Sequence, residues 1–363
     1  MSTAETHSFR LFPPPALLVA LLVLLLSSCA PTRQPMGTRV AEPAIDPAAT
    51  EYVAADGVRL PLKAWLPEGG APKAVILALH GFNDYSNAFA APAKDWAAQG
   101  IATYAYDQRG FGRGPRPGIW AGVDTMQADL LGAAQAVRAR HPGVPLFLLG
   151  ESMGAAVVLT TLAEQGNLPV GVSGAILSAP AVWSRDTMPF YQRWALAVAS
   201  WTVPWYELTP PKGLKIRASD NIEMLRALGR DPLVIKASRV DAVAGLTTLM
   251  DQALGSVGKL PGPALVLYGE HEELIPRLPV GIALSRLPKD RVQAAIYPKG
   301  FHMLLRDLHA GVVRDDIAAW VLDPGRPLPS GAETHPRVLE HRGALVAGNP
   351  PDPGKTAAVQ GGS

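Results

Sequence analysis

The sequence predicts an α/β fold: a mostly parallel, doubly wound sheet with antiparallel N-terminal strands and a helical cap inserted after the sixth strand. Three observations predict it. Continuous apolar runs such as A-V-I-L-A-L (residues 74–79) alternate with segments of helical length, the pattern of parallel strands buried on both faces. A strand-like run at 146–149 breaks at Gly150-Glu151-Ser152-Met153-Gly154 and continues as small apolar residues at helical spacing. The alternation stops between Pro180 and about Leu260 and resumes at 264–268, as an insertion into one domain requires.

The chain-wide numbers set limits on function. With 363 residues and 48% hydrophobic content, one large core plus an insertion can be buried. Lys and Arg number 33 against 31 Asp and Glu, so a net charge of +2 offers no general attraction to nucleic acid. Cys29 is the only cysteine, which excludes an internal disulfide framework and a thiolate metal cluster.

Residues 1–28 combine Arg10, an apolar run over 11–26 and the small pair Ser27-Ser28, the layout of an export signal. The sequence L-S-S-C at 26–29 resembles the lipobox of bacterial lipoproteins. That resemblance implies cleavage before Cys29, lipidation of Cys29 and anchoring to a membrane; Ala30, not aspartate, points to the outer membrane, on its periplasmic or surface side. Residues 29–50, rich in Pro and Ala, read as a flexible tether.

The folded domain is expected over 51–322. Runs at 51–55 and 58–66 flank Asp56-Gly57, a strong hairpin signal, and give the antiparallel strands. The run at 74–79 ends in His80-Gly81-Phe82-Asn83. Then follow a helix over 88–99, strand 101–106, helix 123–140, strand 146–149 with the serine turn and its helix, and strand 175–177. The cap, about 181–260, holds Trp183, Phe190, Tyr191, Trp194, Trp201, Trp205 and Tyr206. These aromatics are expected to form a small core whose apolar underside roofs a pocket. Strand 264–268, a helix near 280–286, strand 292–297 and a helix over 304–320 complete the domain. The tail 323–363, rich in Pro and Gly, reads as disordered.

Right-handed crossovers place the loops that follow the parallel strands along one sheet edge. Those loops carry the chemistry. G-E-S-M-G at 150–154 fits a nucleophile elbow, in which a serine sits on a strained strand-to-helix turn and the flanking positions must be small. A serine needs a base, and the base needs a carboxylate to fix its tautomer. The chain offers them in the order Ser152, an acid near Glu272, then His302, each after a strand. No His/Asp/Glu cluster has metal-ligand spacing, so neither a metal nor another cofactor is expected.

H-G-F-N (80–83), Y-D-Q-R-G-F-G (106–112), G-E-S-M-G (150–154), G-E-H-E-E-L-I-P (269–276) and Y-P-K-G-F-H (297–302) together resemble the monoacylglycerol lipase and lysophospholipase branch of the α/β-hydrolase superfamily. R-D-P-L at 230–233 extends the likeness into the cap. The resemblance implies Ser152 as nucleophile, His302 as general base and then acid, and the N–H groups of Phe82 and Met153 as the oxyanion hole. His80 is then a turn residue, and Asp107 and Arg109 belong to a structural turn. Where this family usually has aspartate, the chain has Glu272, with Glu273 and Glu270 as the neighbouring alternatives. The resemblance implies a lipid-anchored serine hydrolase cleaving carboxylic esters, of monoacylglycerol or lysophospholipid type, through an acyl-enzyme. The alternatives are a peptidase or thioesterase on the same triad, or a non-catalytic lipid-binding protein. His271, His309, His335 and His341 are expected at the surface.

Overall fold

The computed structural model describes residues 30–209, 213, 216–334 and 338. In chain order the strands are β1 (Ala44–Ile45), β2 (Glu51–Val53), β3 (Arg59–Trp65), β4 (Ala74–Leu79), β5 (Ile101–Tyr106), β6 (Leu146–Glu151), β7 (Val172–Ser178), β8 (Glu207–Leu208), β9 (Ser238–Arg239), β10 (Ala264–Gly269) and β11 (Val292–Tyr297). The helices are α1 (Ala90–Ala98), α2 (Val123–Arg140), α3 (Met153–Gln165), α4 (Phe190–Thr202), α5 (Ile222–Arg230), α6 (Val240–Ser256), α7 (Arg277–Arg286) and α8 (Ala310–Leu322). The main sheet runs β1-β2-β3-β5-β4-β6-β7-β10-β11, antiparallel through β3 and its pairing with β5, parallel elsewhere. The small pair β8–β9 lies in the cap.

The continuous apolar runs are explained by what each face meets. Successive strand residues point to opposite faces. Val75, Leu77 and Leu79 of β4 join a core with Leu130, Val137, Val157 and Met250, under α2, α3 and α6. Ile76 and Ala78 join a second core with Trp96, Ile317 and Trp320, under α1 and α8. Covered on both sides, β4 carries no polar side chain.

Several expectations are corrected. Residues 30–50 are no free tether among the described residues: Gln34 is buried, its amide donates to the Ile119 carbonyl at 2.7 Å, and β1 pairs with β2. The Asp46 carboxylate holds the intervening turn by accepting the N–H groups of Thr50 and Glu51, both at 2.6 Å. Two-residue β1 is too short to show periodicity; it raises the strand count by one, and the cap leaves the sheet after β7, the strand expected at 175–177.

The cap is smaller than 181–260, because α6 packs on α3 and buries Leu249, Met250, Ala253 and Leu254 in the main core. The last helix starts at Ala310, not 304, because residues 303–309 form a turn whose side chains reach other loops. The start of the tail is packed, too: Leu328 and Ala332 are buried, and the Ser330 amide donates to Asp316 at 3.0 Å. Cys29, the export signal, His335, His341 and the remainder of the tail lie outside the described residues.

The aromatic cluster is not the expected small core. Helix α4 buries none of its residues, and Phe190, Trp194, Val198 and Trp201, spaced at i, i+4, i+8 and i+11, form an outward stripe. Phe190 is 73% exposed, Trp194 69% and Trp201 81%. Trp183 and Met188, just before α4, do pack against the main core. Among the described residues, no helix is long and apolar enough to cross a membrane.

Candidate active site

Ser152 sits between β6 and α3 with φ 54° and ψ −112°, a backbone region that non-glycine residues avoid at about 1–3 kcal/mol. Three hydrogen bonds hold it there. Its N–H donates to Ser178 O at 2.9 Å, and its carbonyl accepts from Ala156 N at 3.0 Å and Ala181 N at 3.1 Å. The flanking glycines are required by space: a Cβ on Gly150 would fall on the Ala155 backbone, and one on Gly154 on the Leu79 carbonyl.

The neighbouring strand end supplies the facing turn. In the β4–β6 register Leu79 lies opposite Gly150, so Phe82 and Met153 are each three residues beyond the same rung. Neither backbone N–H is taken by an acceptor among the described residues. Gly81 lies against Ser152, where a Cβ would be 3.4 Å from the serine Cβ.

His80 shapes this turn. Its Nδ1 contacts Gly81 O at 2.8 Å and its Nε2 accepts the Gln108 N–H at 3.0 Å, so the fully buried ring is neutral, with Nδ1 as donor. Burial accordingly holds its pKa below the usual value, although nearby carboxylates act in the opposite sense. The 106–112 block is structural in the same way. Asp107 accepts the N–H groups of Ser86 and Arg113, each at 2.9 Å. Arg109 forks onto both Asp129 and Asp56, and the guanidinium holds Asp56 down to about 2.

Of the three candidate acids, Glu272 is the one on the histidine. Its Oε2 meets His302 Nδ1 at 2.7 Å, while Oε1 accepts Leu274 N at 2.7 Å and Ile275 N at 3.0 Å. Glu273 turns instead to the cap, accepting Arg217 N at 2.7 Å. Glu270 lies in the stretch where the two loops are stitched together: Glu270 N donates to Tyr297 O and His271 N to Gly300 O, both at 2.9 Å.

Burial opposes charge on Glu272, but His302 and the two backbone N–H groups outweigh it and lower its pKa. Burial also opposes charge on His302, and the Glu272 carboxylate outweighs it, leaving the imidazole above its usual value of about 6.5. With Nδ1–H committed to Glu272, the imidazole presents Nε2 as the acceptor, the tautomer a general base needs. His271, exposed, stacks on Phe301 at 5.1 Å, and His309 is exposed.

One contact set was not legible as a site. Arg306 Nη2 donates to Glu151 Oε1 at 2.6 Å and Nη1 pairs with Asp84 Oδ2 at 2.8 Å, all three side chains being buried. These residues are far apart in sequence, and only Glu151 falls inside a motif block, at a position the elbow pattern leaves open. The cap is fastened to the same edge. Tyr85 Oη donates to Asp231 of the 230–233 block at 2.7 Å, Asn83 O accepts Ile235 N at 3.0 Å, and Met303 N donates to Ala218 O at 2.9 Å.

Between the Phe82 turn and the cap is a small depression lined by Phe82, Phe111, Trp120 and Ile235 together with Asn83, Ser238 and Arg239. Two free N–H donors, a strained serine and a carboxylate-oriented imidazole on loops of one sheet edge are the kinds of group that a serine hydrolase combines. Among the described residues, no group of His, Cys, Asp and Glu is placed to hold a metal ion.

A base must be neutral to accept a proton. If His302 is that base, kcat/KM falls as pH drops through its pKa, so the acid limb of the pH profile is expected above pH about 6.5. A limb near pH 5 would contradict the assignment of His302.

The family described as "Serine aminopeptidase, S33" matches residues 70–309. A monoacylglycerol lipase of Mycolicibacterium smegmatis is 27% identical over 277 residues, covering 75% of this chain and 95% of that protein. The human monoglyceride lipase is 26% identical over 275 residues, covering 74% and 88%. A solved structure of a soluble variant of the Saccharomyces cerevisiae monoglyceride lipase, in complex with a substrate analogue, superposes with a TM-score of 0.63 at 19% identity, covering 79% and 97%. The Paleococcus ferrophilus monoacylglycerol lipase gives 0.59 at 19%, covering 72% and 98%. These likenesses place the sheet and its surrounding helices in the α/β-hydrolase fold.

Proposed function

From the premise that this chain belongs to the hydrolase family described as serine aminopeptidase, S33, we propose that it is a lipid-anchored serine hydrolase that cleaves carboxylic esters, with monoacylglycerols or lysophospholipids as substrates. The observation that carries the reading is the Glu272–His302 pair at the same sheet edge as the strained Ser152. That two relatives are monoglyceride lipases supports the substrate class. In this reading Ser152 Oγ attacks the ester carbonyl as His302 Nε2 takes its proton. The oxyanion is met by the N–H groups of Phe82 and Met153, worth about 2.7–4 kcal/mol for one such donor in a comparable site. His302 then protonates the departing alcohol, and water reverses the sequence to release the acid.

The anchoring part of the proposal rests on Cys29 and on the fastening of Thr32, three residues on. Thr32 N donates to Asp241 Oδ2 at 3.1 Å, and Asp241 N donates to Pro204 O at 3.0 Å, two residues past α4. A lipid on Cys29 would therefore start within about 10 Å of the cap, since three residues span at most that length. The exposed aromatic stripe of α4 lies in the adjoining helix, and rings of this kind suit a lipid–water interface. In a bacterial host the full chain is expected to incorporate labelled palmitate and to partition with membranes. Cys29→Ala should do neither; a labelled, membrane-bound Cys29→Ala chain would overturn the anchor.

A second reading, a peptidase, is favoured by the family description itself. A panel of monoacylglycerols of increasing chain length, a lysophospholipid, and a matched thioester and amide separates the two. Ester cleavage at least about 100-fold faster than amide cleavage is expected. Amide preference would make the chain a peptidase, and absence of turnover together with absence of fluorophosphonate labelling at Ser152 would make it no serine hydrolase.

A further inference from the structure

Arg306 is not part of the triad, yet its guanidinium touches two of the three loops that build the site, and its backbone belongs to the third. Glu151, bound at 2.6 Å, immediately precedes Ser152. Asp84, paired at 2.8 Å, is two residues after Phe82. Arg306 itself is four residues after His302, and its own carbonyl accepts Asn221 Nδ2 of the cap at 3.0 Å. A stability role alone accounts poorly for this cluster, because burying a cation and two carboxylates is expensive and apolar side chains of similar volume usually serve as well or better.

We propose that Arg306 is a positioning residue for the reaction: its fork sets the serine elbow, the oxyanion turn and the histidine loop against one another, and its charge neutralises Glu151 beside His302. The inference rests on the ester-hydrolase reading. The geometry asks for arginine specifically, since a planar fork reaches two carboxylates in fixed directions and an ammonium does not.

The charges around His302 define a readout that a purely structural role would not move. Glu272 faces the ring from the loop after β10, Glu151 from the elbow and Arg306 from its own loop. Asp84, paired with Arg306, Asp307, which accepts the Phe301 N–H at 2.7 Å, and Asp220 beside Asp307 are further charged groups on these loops. Glu151 favours the imidazolium and Arg306 disfavours it. Removing the guanidinium leaves Glu151 unneutralised, so the imidazolium gains stability and the acid limb must move to higher pH. Removing the Glu151 charge must move it to lower pH.

The test uses p-nitrophenyl butyrate hydrolysis by the full chain, with kcat, KM and the acid limb recorded for each variant beside its thermal midpoint. Arg306→Met is expected to lower kcat at least about 30-fold with KM nearly unchanged, and to raise the limb by about one pH unit. Arg306→Lys should keep the limb near its wild-type position while kcat stays reduced, which separates charge from fork. Arg306→Met combined with Glu151→Gln should return the limb to the wild-type position or below without restoring kcat.

If Arg306→Met does not fold, Glu151→Gln carries the test by lowering the limb. Folded Arg306→Met with wild-type kcat and limb overturns the proposal, as does Glu151→Gln with an unmoved limb. A wild-type chain that fails to cleave the ester refutes the ester reading instead. The rate and pH dependence of fluorophosphonate labelling at Ser152 then replace turnover, with the same pattern required of the variants.

Discussion

Ser152→Ala is expected to lower kcat for p-nitrophenyl ester hydrolysis by about 10⁴- to 10⁶-fold, the range set by removing the nucleophile from a cooperative triad. The fold should be untouched. Alanine keeps the Cβ that packs near Gly81, and the three backbone hydrogen bonds that impose φ 54° do not involve the hydroxyl. The thermal midpoint should therefore stay within a degree or two. Substrate should still bind, because the N–H groups of Phe82 and Met153 remain unpaired by other acceptors. Fluorophosphonate labelling should vanish together with turnover. Purified Ser152→Ala that retains a tenth of the wild-type rate would remove Ser152 from the mechanism, and a variant that unfolds would show the hydroxyl to be structural.

Both the elbow and the sheet were legible in the sequence for one reason: each is a local pattern with a steric cause. Apolar runs such as A-V-I-L-A-L and L-F-L-L, alternating with segments of helical length, fit buried parallel strands, and Gly150 and Gly154 are forced by contacts with Ala155 and Leu79. What was not legible depends on long-range pairing. Gln34 finds its partners at Arg116 and Ile119, and Ala44–Ile45 finds β2 only because the Asp46 turn brings it back. Arg306 looked like one more helical charge because its partners, Glu151 and Asp84, are 155 and 222 residues away. The α4 aromatics were misread because composition reports apolar area and not the side from which it is covered. Among Glu270, Glu272 and Glu273, the position of the family's aspartate ranked Glu272 first but left its neighbours open; the hydrogen bonds of the loop put Glu272 on the histidine and Glu273 on the cap.

That choice leads to the second large effect. Glu272→Gln is expected to reduce kcat about 10³- to 10⁴-fold, against less than about threefold for Glu273→Gln. The carbonyl end of a glutamine can keep the Leu274 and Ile275 N–H groups that Oε1 now accepts, which turns the amide NH₂ toward His302 Nδ1. The ring must then accept at Nδ1 and carry its proton on Nε2, the tautomer that cannot take a proton from serine. The imidazolium also loses the carboxylate that holds its pKa up, so whatever activity remains should have its acid limb at lower pH than wild type. Glu273 has no such role to lose. Its carboxylate accepts the Arg217 N–H and faces the exposed Arg217 guanidinium at 3.8 Å, a separation at which a surface pair is worth little. Glu272→Asp tests the reach of the loop. The residue usual at this position in the resembling family is one methylene shorter, and with Oε1 tied to two N–H groups the loop is set for glutamate. A loss of about 10- to 100-fold is expected, smaller than for glutamine because the carboxylate can still meet the ring when the loop shifts. Equal activity in Glu272→Gln and wild type, or a larger loss in Glu273→Gln than in Glu272→Gln, would transfer the acid's role away from Glu272.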